Sequence, residues 1–406
     1  MRQHTSALAM SILNKELVGS AETPTASQLD EDRLAWLALA LTPGIGPKRI
    51  LDAVRELRAP SQIFDLTLTE LEGLRLPAHA AQYFFDGKSR KAAVEEWSRV
   101  VEHGATIVTF GCPQYPNVLK EIYDPPPVLW VSGAVHLLSL PSIAVVGTRH
   151  PSPYGSAVAE MLSRDLAARR MLIVSGMARG IDTCAHKGAL AARMPTVAVW
   201  GTGIDVIYPK ENKKLAEDIL ATGGAIVSEV PMGTFPAPQN FPRRNRILSG
   251  LSIGVLVVEA AENSGTRVTA RCAAEQDRDL YAVPGNVTNK NSWTPNTLIK
   301  QGAKLVASWE DIWEDLPSQV RLELEVAAGI ESQTQPAASL LSDPVLRTEE
   351  ALVLQTLRTD ESLQIDELLE LLETQLTSSE VFTALFELEI SGRVRCLPGK
   401  NYVRTL

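Results

Sequence analysis

Residues 241–249, FPRRNRILS, are followed closely by an apolar run at 253–259, IGVLVVE. The apolar run is typical of a short buried strand, and three arginines stand in a basic turn just before it. Guanidinium groups match phosphate oxygens in bidentate geometry, and Phe241 offers a flat face on which a base can stack. Alternatively, the arginines form a solvated turn and pair with carboxylates such as Glu229 or Glu259. Taken alone, the stretch favours that second interpretation.

Five more apolar runs of strand length alternate with helical patterns around this stretch. They lie at residues 143–146, 171–174, 196–200, 225–229 and 280–283. Strands that alternate with helices indicate a parallel, doubly wound α/β sheet. A turn rich in glycine or small polar residues follows most of these strands, and such turns meet at the carboxyl edge of the sheet, where ligands bind. The cations and small residues of these turns are therefore expected to converge there.

Two common nucleotide-binding fingerprints are missing from this arrangement. The first turn, residues 147–149, lacks the G-x-G-x-x-G spacing, and no segment matches G-x-x-x-x-G-K-[ST]. Hydride transfer and P-loop nucleotide hydrolysis therefore lose their main support. No cofactor and no metal are expected.

The ordered motifs of residues 143–306 resemble the DNA-processing protein A (DprA/Smf) family. The motifs are VGTR at 146–149, SGMARGID at 175–182, AH at 185–186, YP at 208–209, FPRRNRILSGLS at 241–252, VVEA at 257–260, SGT at 264–266 and NTLIKQGA at 296–303. The resemblance implies an extended Rossmann-like domain that binds single-stranded DNA, forms a homodimer, and loads the recombinase RecA onto the strand during natural transformation or recombination. TRVT at 266–269 and SWTP at 292–295 depart from the family pattern and add Arg267 and Trp293.

We predict a protein that binds and protects single-stranded DNA and is not an enzyme. Cations would hold successive phosphates, Ser175, Gly176 and Gly180 would supply close backbone donors, and Phe241 or Tyr208 would stack on a base. The predicted DNA-binding residues are Arg149, Ser175, Gly176, Arg179, Gly180, Lys210, Phe241, Arg243, Arg244, Asn245, Arg246, Ser264, Gly265 and Thr266.

The alternative is a nucleotide-processing hydrolase of the N-glycosidase type, in which a carboxylate beside the same pocket acts as a general base. Its candidates are Asp182, His186, Glu229 and Glu259. Asp182 is expected instead to cap the helix that follows it, and His186 to pack one turn later. No two of these candidates are spaced in the sequence as a catalytic acid and base would be.

The distribution of charge supports an anion-binding central region. The net charge is −9, but residues 141–320 hold 19 Lys and Arg against 17 Asp and Glu, which leaves them at +2. Residues 1–140 hold 13 against 16, and residues 321–406 hold 7 against 15, so most of the acidity is C-terminal. The central site is therefore free to be locally positive.

Cysteine usage and hydropathy predict a cytoplasmic protein that does not cross a membrane. The four cysteines are widely spaced without a C-x-x-C pair, which fits a reducing compartment. All apolar runs are too short to span a bilayer. Residues 1–28 are interpreted as a disordered extension, because Lys15 and Glu16 interrupt any signal-like apolar region.

The predicted domains are a helical domain at 29–95, a Rossmann-like domain at 100–316, a linker at 317–344 and a winged helix at 345–406. The family resemblance implies a SAM-like fold for the first. Its segment TPGIGPKRI at 42–50 predicts a hairpin between helices, which either offers N–H groups to a DNA phosphate or simply packs.

The C-terminal region shows helix patterns near 349–358, 365–372 and 378–390, followed by a β-hairpin. A winged helix would read DNA with its third helix, but residues 378–390 contain glutamates and no Lys or Arg. We therefore predict a protein-interaction module. Only the hairpin offers cations to a DNA backbone, namely Arg393, Arg395, Lys400 and Arg404.

Overall fold

A computed structural model of the chain describes residues 26–328, 348–358, 362–372, 374–390, 393–397 and 399–404. The chain divides into two compact units, one ending at residue 330 and the other beginning at residue 331. Residues 1–25 of the predicted N-terminal extension lie outside the described residues, and helix already begins at Ala26. Among the described helices, none is long and apolar enough to cross a membrane.

Helices form the first part of the larger unit. They are α1 (Ala26–Ala40), α2 (Pro47–Arg55), α3 (Leu68–Gly73), α4 (Ala78–Phe85) and α5 (Lys88–Glu102), with a 3₁₀ turn at Pro60–Asp65 between α2 and α3. The predicted hairpin joins α1 to α2, and Gly44 within it has a φ of +83°, which a side chain would strain. In α3, Thr67 and Glu70 form a capping box that satisfies N–H groups at the helix start.

Glu96 of α5 ties these helices to the sheet. Its carboxylate is 1 % exposed and accepts hydrogen bonds from Trp130 Nε1 at 2.9 Å and from the backbone N–H of Met232 at 2.7 Å. Arg99, one turn later, is its ion-pair partner. Buried residues of α1 to α5 also share one apolar cluster with Trp130 and Trp200 of the sheet. The helices and the sheet are therefore packed together in the larger unit.

The larger unit is built on a nine-stranded sheet. Its strands are β1 (Thr106–Thr109), β2 (Val128–Gly133), β3 (Ser142–Val146), β4 (Leu172–Ser175), β5 (Thr196–Trp200), β6 (Ala225–Ser228), β7 (Gly254–Val257), β8 (Asp279–Ala282) and β9 (Lys304–Leu305). They lie in the order β1-β2-β6-β5-β4-β3-β7-β8-β9. Every neighbouring pair from β6 to β9 is parallel, which confirms the Rossmann-like sheet and all six predicted apolar strands.

One edge of the sheet differs from the sequence-based expectation. β2 pairs with both β1 and β6 in antiparallel register, so the sheet is not parallel throughout. Prolines at 125–127 directly precede β2. Those prolines lie outside the strand, and the pairing residues 128–133 have all their N–H groups.

The strand order produces a topological switch beside β3. From β3 the chain builds β4, β5 and β6 outward on one side, and then crosses over to place β7 against the other side of β3. The loops after β3 and β7 therefore part from each other at the carboxyl edge, which opens a crevice between them.

Helices cover both faces of the sheet. They are α6 (Asn117–Lys120), α7 (Pro153–Ala168), α8 (Ile181–Ala191), α9 (Lys213–Ala221), α10 (Asn240–Leu251), α11 (Thr266–Glu275), α12 (Trp293–Lys300), α13 (Glu310–Trp313) and α14 (Ser318–Ala327). Helix α14 lies at the start of the predicted linker, and its Leu324 is 2 % exposed and packs in the same core cluster as buried residues of α7. One buried leucine fixes a helix whose sequence shows no strong apolar period.

The smaller unit has the predicted winged-helix plan. It contains α15 (Thr348–Thr356), β10 (Leu363–Gln364), α16 (Ile365–Leu372), α17 (Ser378–Ile390), β11 (Val394–Leu397) and β12 (Asn401–Arg404), with the strands in the order β10-β12-β11. Leu368, Val381 and Leu388 lie at its core. Among the elements described in this unit, the two-residue strand β10 was not predicted from the sequence, since so short a pairing leaves no periodic pattern.

Gly188 lies at a close contact between α8 and α7, and its substitution should separate the two helices. A Cβ at Gly188 would lie 2.3 Å from the Glu160 carbonyl oxygen. We expect Gly188→Ala to lower the free energy of unfolding of the larger unit by about 1–3 kcal/mol. Urea denaturation followed by tryptophan fluorescence measures this, because all seven tryptophans precede residue 331. The control is Gly73→Ala, where no atom lies within 4 Å of the new Cβ. Equal midpoints for the two variants would contradict the close contact.

Candidate nucleic-acid interface

A cavity of about 990 Å³ opens at the carboxyl edge of the sheet, in the crevice beside β3. The loops that follow β3 to β8 and the helices α10 and α11 supply its walls. The sequence-predicted residues that line it are Arg149, Tyr208, Phe241, Arg244, Asn245, Ser264, Gly265 and Thr266. The predicted convergence at one edge is therefore confirmed for these residues.

Arg244 is the central cation of this cavity. It is 5 % exposed, and its Nε and Nη1 have no hydrogen-bond partner among the described residues. Burial lowers the pKa of its guanidinium, Asp182 offsets part of this, and Arg149 adds to the lowering. A buried guanidinium with open N–H groups is costly in free energy unless an anion binds it. Arg244 is thus suited to hold an anion within the cavity.

Gly176 makes room for Arg244. A Cβ at Gly176 would lie 1.8 Å from the Nη1 of Arg244, so any side chain there would displace the guanidinium. The predicted role of Gly176 was a backbone donor to phosphate. The structure places it instead beneath the arginine, outside the lining of the cavity.

Asp182 lies in the wall of the cavity and is 6 % exposed. Burial raises the pKa of its carboxyl, while Arg244 and Arg149 lower it. It does not cap α8 in the predicted way: the residue that caps α8 is Gly180, and Asp182 accepts the N–H of Ala178 in the preceding loop at 3.1 Å. Asp182 therefore acts as an acidic counterpart to the two arginines and as a brace for the loop.

His186 and Glu259 have structural surroundings. His186 is fully buried, its Nδ1 lies 2.9 Å from Thr196 Oγ1, and burial lowers its pKa to about 3, so it packs as a neutral ring as expected. Glu259 accepts hydrogen bonds from the backbone N–H and the hydroxyl of Ser152, at 2.8 and 2.6 Å. Because Ser152 is the N-cap of α7, Glu259 holds the start of that helix.

Aromatic rings stand at two places in the lining. Tyr208 and Phe241 have ring centroids 5.5 Å apart, and the guanidinium of Arg149 lies 6.0 Å from the centre of the Phe241 ring. Trp293, at the start of α12, is 39 % exposed, with the guanidinium of Arg267 at 5.4 Å from its ring centre. Both places pair an accessible aromatic ring with an arginine, which suits the stacking of a base beside a phosphate.

The stretch at 241–249 is part of helix α10, not a turn. Because a helix turns its residues in different directions, consecutive arginines have different surroundings. Arg244 reaches the cavity, whereas Arg246 pairs with Glu229 and lies 3.1 Å from Asp124. Arg243 lies 3.4 Å from the same Glu229, with half of its side chain exposed. The alternative that some of these arginines pair with Glu229 is therefore correct for Arg243 and Arg246.

Glu229 is 4 % exposed at its side chain, so its charge depends on these two partners. Burial raises the pKa of its carboxyl, and Arg246 and then Arg243 oppose that shift. The cluster fixes α10 against the end of β6. Neither Arg243 nor Arg246 is part of the cavity lining.

The remaining predicted residues also lie outside the cavity lining. Ser175 is buried and donates its hydroxyl to the Val145 carbonyl at 2.6 Å. Gly180 has a φ of +75°, and a Cβ there would lie 2.4 Å from the Thr148 carbonyl oxygen. Arg179 pairs with Glu211 at the surface, and Lys210 is exposed on a 3₁₀ turn.

Several lining residues were not predicted, among them Thr148, His150, Lys290 and Trp293. Trp293 carried a signal, because it stands where the sequence departs from the family pattern. Lys290 carried none, since a lone lysine in a loop is an ordinary surface residue. Among the described residues, no group of His, Cys, Asp and Glu is arranged to hold a metal ion.

These features define a Rossmann-like protein with a cationic and aromatic cavity at its switch point and a separate winged-helix unit. Residues 106–317 match the family model of DNA recombination-mediator protein A, and residues 332–400 match that of the DprA winged helix domain. The chain belongs to the DNA recombination-mediator protein A family.

Characterised relatives agree with this assignment. Protein Smf of Escherichia coli K12 is 43% identical over 290 residues, which are 71% of this chain and 75% of the relative. DNA processing protein DprA of Bacillus subtilis is 44% identical over 219 residues, 54% of this chain and 73% of the relative. The crystal structure of DNA processing protein A from Streptococcus pneumoniae has a TM-score of 0.62 and 34% identity, and the match covers 71% of this chain and 98% of that one.

Because Arg246 and Arg243 have different surroundings, replacing each of them should change the unfolding free energy by a different amount. We expect Arg246→Met to cost about 3 kcal/mol or more of unfolding free energy, because it leaves the buried Glu229 charge largely uncompensated. Arg243→Met, which removes a half-exposed partner, should cost less than about 1 kcal/mol. Urea denaturation followed by tryptophan fluorescence compares the two. If both variants unfold at the wild-type midpoint, the arginines do not hold α10 in place.

Proposed function

We propose that this protein is a DNA-processing protein that binds single-stranded DNA in the cavity beside β3. The observation that carries the proposal is Arg244, a buried guanidinium with two N–H groups that have no hydrogen-bond partner in the described part of the chain. It stands in the lining of a cavity that also contains Arg149 and three aromatic rings. The names of the relatives, DNA processing protein and DNA recombination-mediator protein, support nucleic acid as the anion.

In the proposed complex, Arg244 and Arg149 bind phosphate oxygens of the strand. The exposed Arg149 makes the first contact, and Arg244 binds a phosphate deeper in the cavity, where the low dielectric strengthens the attraction. Asn245, Ser264 and Thr266 offer polar groups beside them, and the backbone N–H of Gly265 is close by. These contacts do not depend on the base sequence.

The aromatic rings explain a preference for unpaired DNA. Bases stack on Tyr208, Phe241 or Trp293 only when they are free of a complementary strand, and each stacked base contributes about 1–3 kcal/mol. Every base has a flat face, so little sequence preference follows. Duplex DNA keeps its bases inside the helix and would gain only the phosphate contacts.

We propose that the protein acts by binding, without catalysis. Of the four candidates for a hydrolase, His186, Glu229 and Glu259 are occupied with the structural contacts described above. Asp182 lines the cavity, and its raised pKa is the one observation that favours the hydrolase alternative. In the binding function its carboxylate limits the repulsion between Arg244 and Arg149.

Fluorescence-anisotropy titration of a labelled single-stranded oligonucleotide tests the proposal. We expect salt-sensitive binding for which duplex of equal length competes poorly. Arg149→Ala should weaken binding and reduce the slope of log K against log salt by about 0.7, since one phosphate contact is lost. Arg164→Ala is the control, because Arg164 pairs with Asp165 on α7 and is not part of the cavity.

An unchanged affinity and salt slope in Arg149→Ala would remove Arg149 from the interface, and Arg244→Lys would then be the next variant. If the wild-type protein binds no DNA at low salt, the proposal fails. The hydrolase alternative would then be tested with nucleoside monophosphates, with Asp182→Asn as its control.

We further propose that the protein works in the cytoplasm as a homodimer, joined through its Rossmann-like domain, and delivers single-stranded DNA to RecA. The family resemblance supports this part of the proposal. Two cavities that act on one strand would hold more phosphates than one, which increases the effective affinity.

A RecA assay separates delivery from binding. On single strands coated with a single-strand-binding protein, wild-type protein should restore the DNA-dependent ATPase of RecA, and Arg149→Ala should restore less. Light scattering should give about twice the chain mass of 44.1 kDa. Tight DNA binding with no effect on RecA would contradict delivery alone, and a mass near one chain would contradict the dimer.

A further inference from the structure

The outer face of helix α17 in the winged-helix unit displays two phenylalanines. Phe382 is 51 % exposed and Phe386 is 62 % exposed. They are four residues apart and therefore lie side by side on one face of the helix. The opposite face is already packed, because Val381, Ala384, Leu385 and Leu388 are buried in the core of the unit. The two rings are thus not needed for the fold of this unit.

The surroundings of the two rings are acidic. Helices α15, α16 and α17 contain eight carboxylates and no Lys or Arg. The carboxylates are Glu349, Glu350, Asp366, Glu367, Glu370, Glu380, Glu387 and Glu389. Glu387 and Glu389 are exposed on the same helix as the phenylalanines. The cations of the smaller unit lie outside these helices. Arg347 precedes α15 and Arg358 follows it. Arg393 closely follows α17, where its backbone N–H donates to the Leu388 carbonyl, and Arg395, Lys400 and Arg404 belong to the β-hairpin.

This combination excludes two occupants of the face. Nucleic acid would bring its phosphates against the glutamates of α17, the helix with which a winged helix usually enters the major groove. A second copy that docked with its own α17 in a two-fold contact would place Glu387 and Glu389 close to the same residues of its partner. Both contacts are repulsive. Exposed apolar rings beside carboxylates instead match a surface that is apolar and basic.

We propose that the outer face of α17 is a docking surface for an amphipathic, basic helix of a partner protein. Apolar side chains of that helix, spaced by three and four residues, would cover Phe382 and Phe386. Its Lys or Arg residues would pair with Glu387 and Glu389. The inference is independent of the proposed DNA site, which belongs to the larger unit.

A designed peptide tests the surface directly. The probe is a fluorescently labelled helical peptide of leucines and lysines, with all leucines on one face, titrated against the full chain. A second peptide, with glutamate in place of each lysine, controls for apolar contact alone. We expect the lysine peptide to bind, to bind more weakly in high salt, and to bind at least tenfold more tightly than the glutamate peptide.

Three variants locate the binding. Phe382→Ser with Phe386→Ser should lower the affinity for the lysine peptide tenfold or more, because the apolar contact is lost. Phe85→Ser is the matched control, since Phe85 is a similarly exposed ring, 54 % exposed, on α4 of the larger unit. Glu387→Lys with Glu389→Lys should reverse the preference toward the glutamate peptide. All three should keep the wild-type circular dichroism, and the two serine variants should also keep the wild-type affinity for single-stranded DNA.

Specific results would overturn the proposal. If the double phenylalanine variant binds the lysine peptide as the wild type does, the rings do not form a docking surface. If charge reversal leaves the preference between the two peptides unchanged, the partner is not selected by its charge. If the double phenylalanine variant has a lower mass in light scattering than the wild type, the face is covered by a second copy of this chain.

Discussion

The burial of one unpaired guanidinium at the carboxyl edge of the sheet is the constraint around which the site is built. Arg244 reaches the cavity because Gly176 has no side chain and because α10 is held in place. Within the residues that the structure describes, its Nε and Nη1 have no hydrogen-bond partner, although the carboxylate of Asp182 is near enough to raise the pKa of the guanidinium. The free energy of burying such a group is recovered when an anion binds. If an anion binds there as proposed, the stability of the empty site and its affinity for that anion are therefore opposed.

Helix α10 assigns different roles to arginines that are adjacent in sequence. Arg244 and Arg246 are both nearly buried. Arg244 lines the cavity, whereas Arg246 forms ion pairs with Glu229 and Asp124. Arg246 fixes the helix against β6, and this holds Arg244 in its position at the cavity. A similar division separates Glu259, which holds the start of α7, from Asp182, which faces the cavity. Charges that hold the helices in place and charges that line the cavity therefore alternate at this edge of the sheet.

The two units use charge in opposite ways. The central residues 141–320 hold a small excess of cations, and the cavity concentrates three of them, Arg149, Arg244 and Lys290. In the described helices of the winged-helix unit all charged residues are carboxylates, and α17 also carries two exposed phenylalanines. Such a distribution favours anions at the first unit and basic surfaces at the second. The net charge of the whole chain, −9, shows neither the cationic cavity nor the concentration of carboxylates in the C-terminal helices.

The sequence by itself determined the six central strands of the sheet, the edge at which their loops meet, the family, and the helices and hairpin of the winged helix. Apolar periodicity and turn residues are local signals, so they can be recognised from the sequence alone. Only the tertiary structure decided that residues 240–251 form a helix and that Arg244 rather than Arg246 lines the cavity. It also decided that β2 joins the sheet and that Trp293 lines the cavity. Those outcomes depend on residues distant in the chain, such as Gly176 beneath Arg244 and Glu229 beside Arg246. A linear pattern cannot show which distant side chain will leave space for a charge and which will neutralise it.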